Sequence, residues 1–213
     1  MRLPDDLRAA PVTLAIAGLT AAAWLIAWAL GWQEAAAVAG GFIPARVGGL
    51  PGDVLPLPAL LTPLTATLVH SGFAHLFFNL LILLFCGRSV ERVVGGQGIV
   101  ILYLIGAYAA AAAQYAMDPG ELVPMVGASG AISAILGTFA LLFGRNKVKV
   151  AHPGVANLLH ALWLAAAWIV LQILIGLTFE TSGLRIAIAA HIGGFLAGLL
   201  LAKPLLLLKW RGA

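Results

Sequence analysis

Residues 184–206 read LRIAIAAHIGGFLAGLLLAKPLL. A helix that spans a bilayer needs roughly 20 mostly apolar residues, and this stretch supplies them with charges only at Arg185 and Lys203. One polar side chain interrupts it. His191 falls about seven residues in, roughly 10 Å down the helix at 1.5 Å per residue. Gly194 and Gly198 follow it as a GxxxG face, the small surface that lets a neighbouring membrane helix approach closely.

The rest of the chain has the same character. Of its 213 residues, 62% are hydrophobic and 9% charged. A soluble domain carries about 25% charged residues, so this chain cannot clothe a water-facing surface, and the lipid bilayer is its expected partner. The net charge of 12 − 8 = +4 gives no reason to expect nucleic acid, because the placement of the basic residues matters more than their sum. Cys86 is the only cysteine, which rules out an intrachain disulfide. The opening MRLPDDLRAA is mixed in charge and the apolar run after it is long enough to span, so no cleavable signal peptide is expected.

Six segments qualify as spans: 11–31, 72–87, 98–117, 127–143, 155–178 and 184–206. The expected fold is therefore all-α, a single polytopic membrane domain over 1–213 with six transmembrane helices. Arg2 and Arg8, Arg88 and Arg92, Arg145, Lys147 and Lys149, and Lys203, Lys209 and Arg211 fall on one side. Arg46 and Arg185 fall on the other. The positive-inside rule then places both termini in the cytoplasm, with Trp32 and Trp210 as interfacial anchors at opposite ends. The long first loop, 32–71, is rich in Gly and Pro yet apolar. An exposed linker is more polar, so this loop is expected to lie partly in the outer leaflet and pack on the helices. The alanine-rich AYAAAAAQYA reads as close helix packing.

With that topology the second, fourth and sixth spans all run from outside to inside, and each carries polar residues near its outer end. His75 and Asn79 lie four apart on one face of the second. Ser129 is the third residue of the fourth, and His191 lies on the sixth. The fourth span is short, about 26 Å against a hydrocarbon thickness of about 30 Å, which recesses Ser129 toward the level of the other three. Gly127 and Gly130 on the fourth span, with Gly194 and Gly198 on the sixth, are the helix-packing residues that make this meeting possible. Polar groups inside a membrane are costly and commonly mark function.

A serine hydroxyl is a weak nucleophile until a base takes its proton. His191 is the natural base, since a neutral imidazole suits an apolar site and is the form a base requires. No Asp or Glu lies within the six spans, so an enzyme built here is a Ser129–His191 dyad. The Ser129 backbone N–H, His75 and the Asn79 amide are candidate donors to an oxyanion, each typically worth about 3 kcal/mol of transition-state stabilisation. Each residue also has a plainer reading. A lone serine in GASG most often packs helices, and Asn79 as interhelical glue is worth roughly 1 kcal/mol. Four polar groups at one depth, on helices of one direction, favour a site. His70 reads as a structural loop residue, His152 and His160 fall at the cytoplasmic side, and Ser133 is expected to bond back to its own helix.

These residues resemble the rhomboid family of intramembrane serine proteases. HxxxN (His75, Asn79), GxSG (Gly127, Ser129, Gly130) and AHxxGxxxG (Ala190, His191, Gly194, Gly198) occur in that order on alternate spans. The resemblance covers about 70–205. It implies a six-helix bundle with Ser129 as nucleophile, His191 as base, and His75 and Asn79 in the oxyanion region. It also implies cleavage of single-pass transmembrane protein substrates near the outer face, without a cofactor or metal. Access would be controlled by the fifth span, the loop near 179–183 and the first loop. Two positions depart from the family pattern: the first loop lacks its Trp-Arg pair, with Arg46 the only arginine there, and Ser133 stands where an aromatic residue sometimes supports the histidine. The competing expectation is a non-proteolytic membrane protein, either a pseudoprotease that binds membrane helices or a proton or solute channel using His75 and His191. The compact chain points to a bacterial inner membrane, with the site opening to the periplasmic or extracellular side.

Overall fold

The computed structural model describes residues 10–49, 57–144, 152–180 and 186–211. Helix α1 (Pro11–Ala29) and the short α2 (Gln33–Gly40) come first. Helix α3 (Phe73–Ile82) passes through a π-helical turn, Leu83–Gly87, into α4 (Arg88–Met117). Then follow α5 (Ser129–Phe143), α6 (Pro153–Glu180) and α7 (Ile188–Lys209). Among the described residues, four helical stretches are long and apolar enough to cross a membrane: Pro11–Ala29, Phe73–Met117, Pro153–Ile175 and Ile188–Lys209. Helix α5, at 15 residues, is about 22 Å long. Among the described residues the result is an all-helical bundle of a polytopic membrane protein.

The loop expected between 88 and 97 is mostly helix. The chain continues helically to Val94 and turns at Gly95, whose φ of +78° and ψ of 168° are open to glycine and strained for other residues. Packing on either side of Gly95 gives the two directions. Before it, His75 meets Gly127 and the Phe85 ring packs at a tilt against Phe139, so this part runs parallel to α5. After it, Gly106 packs on Ala131 and Ala134 while Gly193 packs on Ala109 and Ala113, so it runs antiparallel to both α5 and α7.

Helices α5 and α7 are parallel: Gly194 lies against Gly130 and Ser133, and Gly198 against Ala134. Helix α6 is antiparallel to α7, with Gln172 opposite His191 and Trp168 stacked on Phe195. The α4, α5 and α7 interfaces form the centre, where Ile99, Leu102 and Ile135 are fully buried with Leu83 and Val90. Around it the bundle turns apolar side chains outward, among them Leu19, Ile26, Leu162, Trp163 and Leu200, as a lipid-facing surface requires. Lys209 packs on Gly95 near Arg92 at one end, whereas Arg46 lies at the other. Of the other basic residues behind the expected orientation, Arg2, Arg8, Arg145, Lys147, Lys149 and Arg185 lie outside the described residues.

The first loop folds back onto the bundle. Arg46 is buried and donates to the Leu57 carbonyl at 2.7 Å. Phe42 and Met125 exchange backbone hydrogen bonds of 2.9 and 2.8 Å, and the Ala45 N–H donates to the Glu121 carbonyl at 3.1 Å. The segment opposite the basic end is thereby tied to the α4–α5 connection.

Candidate active site

Ser129 opens α5 as its first helical residue, so its backbone N–H belongs to the unsatisfied first turn. What places it there is the strand-like approach just before. Gly127 has φ +110°, and a Cβ on it would collide with the His75 imidazole. Its N–H donates to the Ala66 carbonyl at 2.9 Å, and the next N–H, of Ala128, donates to His70 Nε2 at 3.4 Å. Ser133 donates back to the Ser129 carbonyl at 2.8 Å, which fits the expectation for a serine one turn on.

His191 is the fourth residue of α7, half-buried, and its Nε2 lies 2.7 Å from Ser129 Oγ. The approach is set by glycine. A Cβ on Gly194 would run into the Gly130 carbonyl, and one on Gly198 into the Ala134 carbonyl. Two helices at that separation bring a short serine and an imidazole into direct contact without extended linkers. Thr138 adds a hydrogen bond of 2.9 Å to the Gly198 carbonyl further down the same seam.

His75 and Asn79 share one face of α3 beside this pair. The His75 ring edge packs on Gly127, and its Nδ1 is 3.1 Å from the exposed Ser71 hydroxyl. Asn79 is buried and donates one amide hydrogen to the His75 carbonyl at 2.8 Å, leaving the second for another acceptor. Its own Oδ1 has no hydrogen-bond partner among the described residues. His70, read from sequence as a loop residue, is buried behind them, edge-on to His75 at 5.0 Å between ring centres. Burial pulls its pKa down to about 4, and the His75 charge adds to this.

Sequence reasoning missed the residues on α6. Gln172 is buried, and its Oε1 is 2.8 Å from His191 Nδ1. Trp168, one turn earlier, donates through Nε1 to the His191 carbonyl at 3.2 Å. A polar Gln in the apolar run WIVLQILIG is the signal the sequence carries for it. Among the described residues, no group of three or more His, Cys, Asp or Glu could hold a metal ion.

The fold and these contacts define a polytopic membrane protein with a serine–histidine pair between two close-packed parallel helices. The chain belongs to the rhomboid family, whose Rhomboid domain matches residues 59–208. It is 34% identical over 146 residues to Rhomboid protease GluP of Bacillus subtilis, covering 68% of this chain and 25% of that protein. Rhomboid-related protein 2 of Mus musculus is 30% identical over 133 residues, 62% of this chain and 43% of the relative. Rhomboid protease GlpG of Pectobacterium atrosepticum is 29% identical over 137 residues, 63% and 45% of the two chains. The matched stretch thus spans less than half the length of each of these relatives.

Proposed function

We propose that this protein is an intramembrane serine endopeptidase that cleaves single-pass transmembrane proteins near the outer membrane face. The observation that carries the reading is the 2.7 Å contact between Ser129 Oγ and His191 Nε2, on helices packed closely enough to fix it. Two relatives named as rhomboid proteases support it.

In the proposed reaction Ser129 Oγ attacks the scissile carbonyl carbon while its proton passes to His191 Nε2. The carbonyl oxygen becomes an anion, held by the Ser129 N–H with the free Asn79 amide hydrogen and His75 as further donors. As the intermediate collapses, the C–N bond breaks and His191 returns the proton to the leaving amine. Water, deprotonated by the same imidazole, then hydrolyses the acyl-enzyme. The expected setting is a bacterial inner membrane with the pocket open to the periplasmic or extracellular side.

The test is labelling of the purified protein in detergent by a fluorophosphonate, which modifies activated serines and needs no known substrate. Wild type should label, whereas folded Ser129→Ala and His191→Ala should not. A pseudoprotease would capture membrane helices regardless of Ser129→Ala, and a channel would keep a pH-dependent flux in that variant. A folded wild type that stays unlabelled both in detergent and in lipid bilayers would overturn the protease reading.

A further inference from the structure

Helix α6 is the least buried of the long apolar helices: 11% of its apolar window is covered, against 44% for Phe73–Met117. Among its described residues the two that are buried are both polar, His160 and Gln172. An apolar helix that turns an amide inward needs a reason, because burying an amide without a hydrogen-bond partner is costly. The partner here is the ring nitrogen of His191 that faces away from Ser129, at 2.8 Å.

That geometry has a chemical consequence. A neutral imidazole carries one proton, and the hydrogen bond at one nitrogen decides which nitrogen carries it. Gln172 presents its Oε1, an acceptor, to Nδ1, so the proton belongs on Nδ1. Nε2 is then left with its lone pair toward Ser129 Oγ, as a base must be. In a serine triad this orienting task falls to a carboxylate, and losing the right tautomer is far more damaging than losing a surface contact. A neutral amide performs the same orientation in a low-dielectric site without burying an anion.

We propose that Gln172 is a positioning residue for His191, the neutral third member of a Ser129–His191–Gln172 hydrogen-bonded chain delivered by α6. This rests on the protease reading for its use in catalysis, while the tautomer it sets can be measured without activity. Trp168, one turn before Gln172, holds the His191 carbonyl and stacks on Phe195 at 4.9 Å, so α6 grips the base at both its backbone and its ring. Displacing α6 therefore withdraws the acceptor and releases the tautomer, which couples the position of this helix to the competence of the base.

The experiment pairs two variants with two readouts. Gln172→Met keeps the length and apolar volume but removes the acceptor, whereas Gln172→Glu restores an acceptor. The first readout is the nitrogen chemical shifts of 15N-labelled His191, which report the tautomer. Wild type should show the Nδ1–H form, and Gln172→Met a mixture or the opposite form. The second is the pH profile of fluorophosphonate labelling. Gln172→Met should slow labelling by about 10- to 100-fold. Gln172→Glu should recover much of it and move the acid limb to higher pH, because a carboxylate stabilises the imidazolium. His75 on α3, packed against Gly127 two residues before Ser129, is a titratable group facing this site, so both variants are compared with His75 unchanged. An unlabelled wild type with an Nδ1–H tautomer would sink the protease reading and leave the positioning role standing. Wild-type labelling, tautomer and pH profile in Gln172→Met would overturn the positioning role. So would equal loss in both variants with an unshifted pH profile.

Discussion

Gly194 of α7 lies directly against the carbonyl group of Gly130 in α5, with no room between them for a methyl group. One turn later Gly198 meets Ala134 in the same way. Because the obstructing atoms are backbone, a side chain at either glycine cannot be accommodated by a rotamer change; the helices must separate. Overpacking of this kind costs about 1–3 kcal/mol even where side chains can yield. Gly194→Ala and Gly198→Val are expected to lower the melting temperature in detergent and to break the Ser129–His191 contact, abolishing fluorophosphonate labelling. Gly18→Ala on α1, where a Cβ meets nothing within 4 Å, should change neither. A Gly198→Val variant that labels normally would show that the seam does not hold the pair together.

Asn79 gives a prediction of the opposite kind, weak on stability and strong on rate. One amide hydrogen is committed to the His75 carbonyl, and the Oδ1 already lacks a partner. Replacing the side chain with Ala loses one hydrogen bond within its own helix and also removes an unsatisfied oxygen, so melting should shift little. If the second amide hydrogen serves the oxyanion, its loss should slow labelling and cleavage by about 100- to 1000-fold. Comparing the rates and melting temperatures of wild type and Asn79→Ala checks this, and an unchanged rate would reduce Asn79 to a helix-packing residue.

Which parts of this arrangement could be read from the sequence follows from how local their causes are. The apolar runs are set by composition within each segment, so the helices stand near the expected places. The shared direction of α3, α5 and α7 follows from counting passes. Ser129 and His191 were legible because glycines announce a close seam on both helices. The continuation of α3 through Glu91 to Val94 was hidden, because charges at Arg88, Glu91 and Arg92 look like a loop. The partners of Glu91 lie on α1, far away in sequence. Gln172 was hidden for a related reason: a polar residue in a long apolar helix shows its purpose only when the facing helix is known.

Glu91 illustrates that tertiary cause. It is 3% exposed, and its two carboxylate oxygens receive the N–H groups of Val12 at 3.0 Å and Thr13 at 2.7 Å. The Thr13 hydroxyl adds a third bond at 2.6 Å. These are first-turn donors of α1, which has no side-chain cap of its own, and a carboxylate also suits the positive end of a helix. Removing it leaves several buried donors unpaired at about 1–3 kcal/mol. Glu91→Ala should therefore destabilise the protein by at least that amount. Glu91→Gln, which keeps one acceptor, should lose less. Thermal melting of both variants checks the order, and equal melting of Glu91→Ala and wild type would remove the cap from the account.

His70 ties stability to pH. Its Nε2 accepts the Ala128 N–H immediately before Ser129, which a protonated imidazole cannot do. Burial first, and the His75 charge second, hold its pKa near 4 in the folded protein, below the ordinary 6.5. Between those two values the unfolded chain binds the proton and the folded one does not. Stability from this group is therefore complete above pH 6.5 and falls as the pH drops toward 4, by at most about 1.4 kcal/mol per pH unit. Below about 4 both states are protonated and the slope from His70 vanishes. His70→Gln offers an amide oxygen to the same N–H but does not titrate. Melting temperatures measured from pH 7.5 to 4 should fall less steeply for His70→Gln than for wild type. Parallel curves for the two proteins would mean that His70 is already charged in the folded state and does not hold the approach to Ser129 as a neutral acceptor.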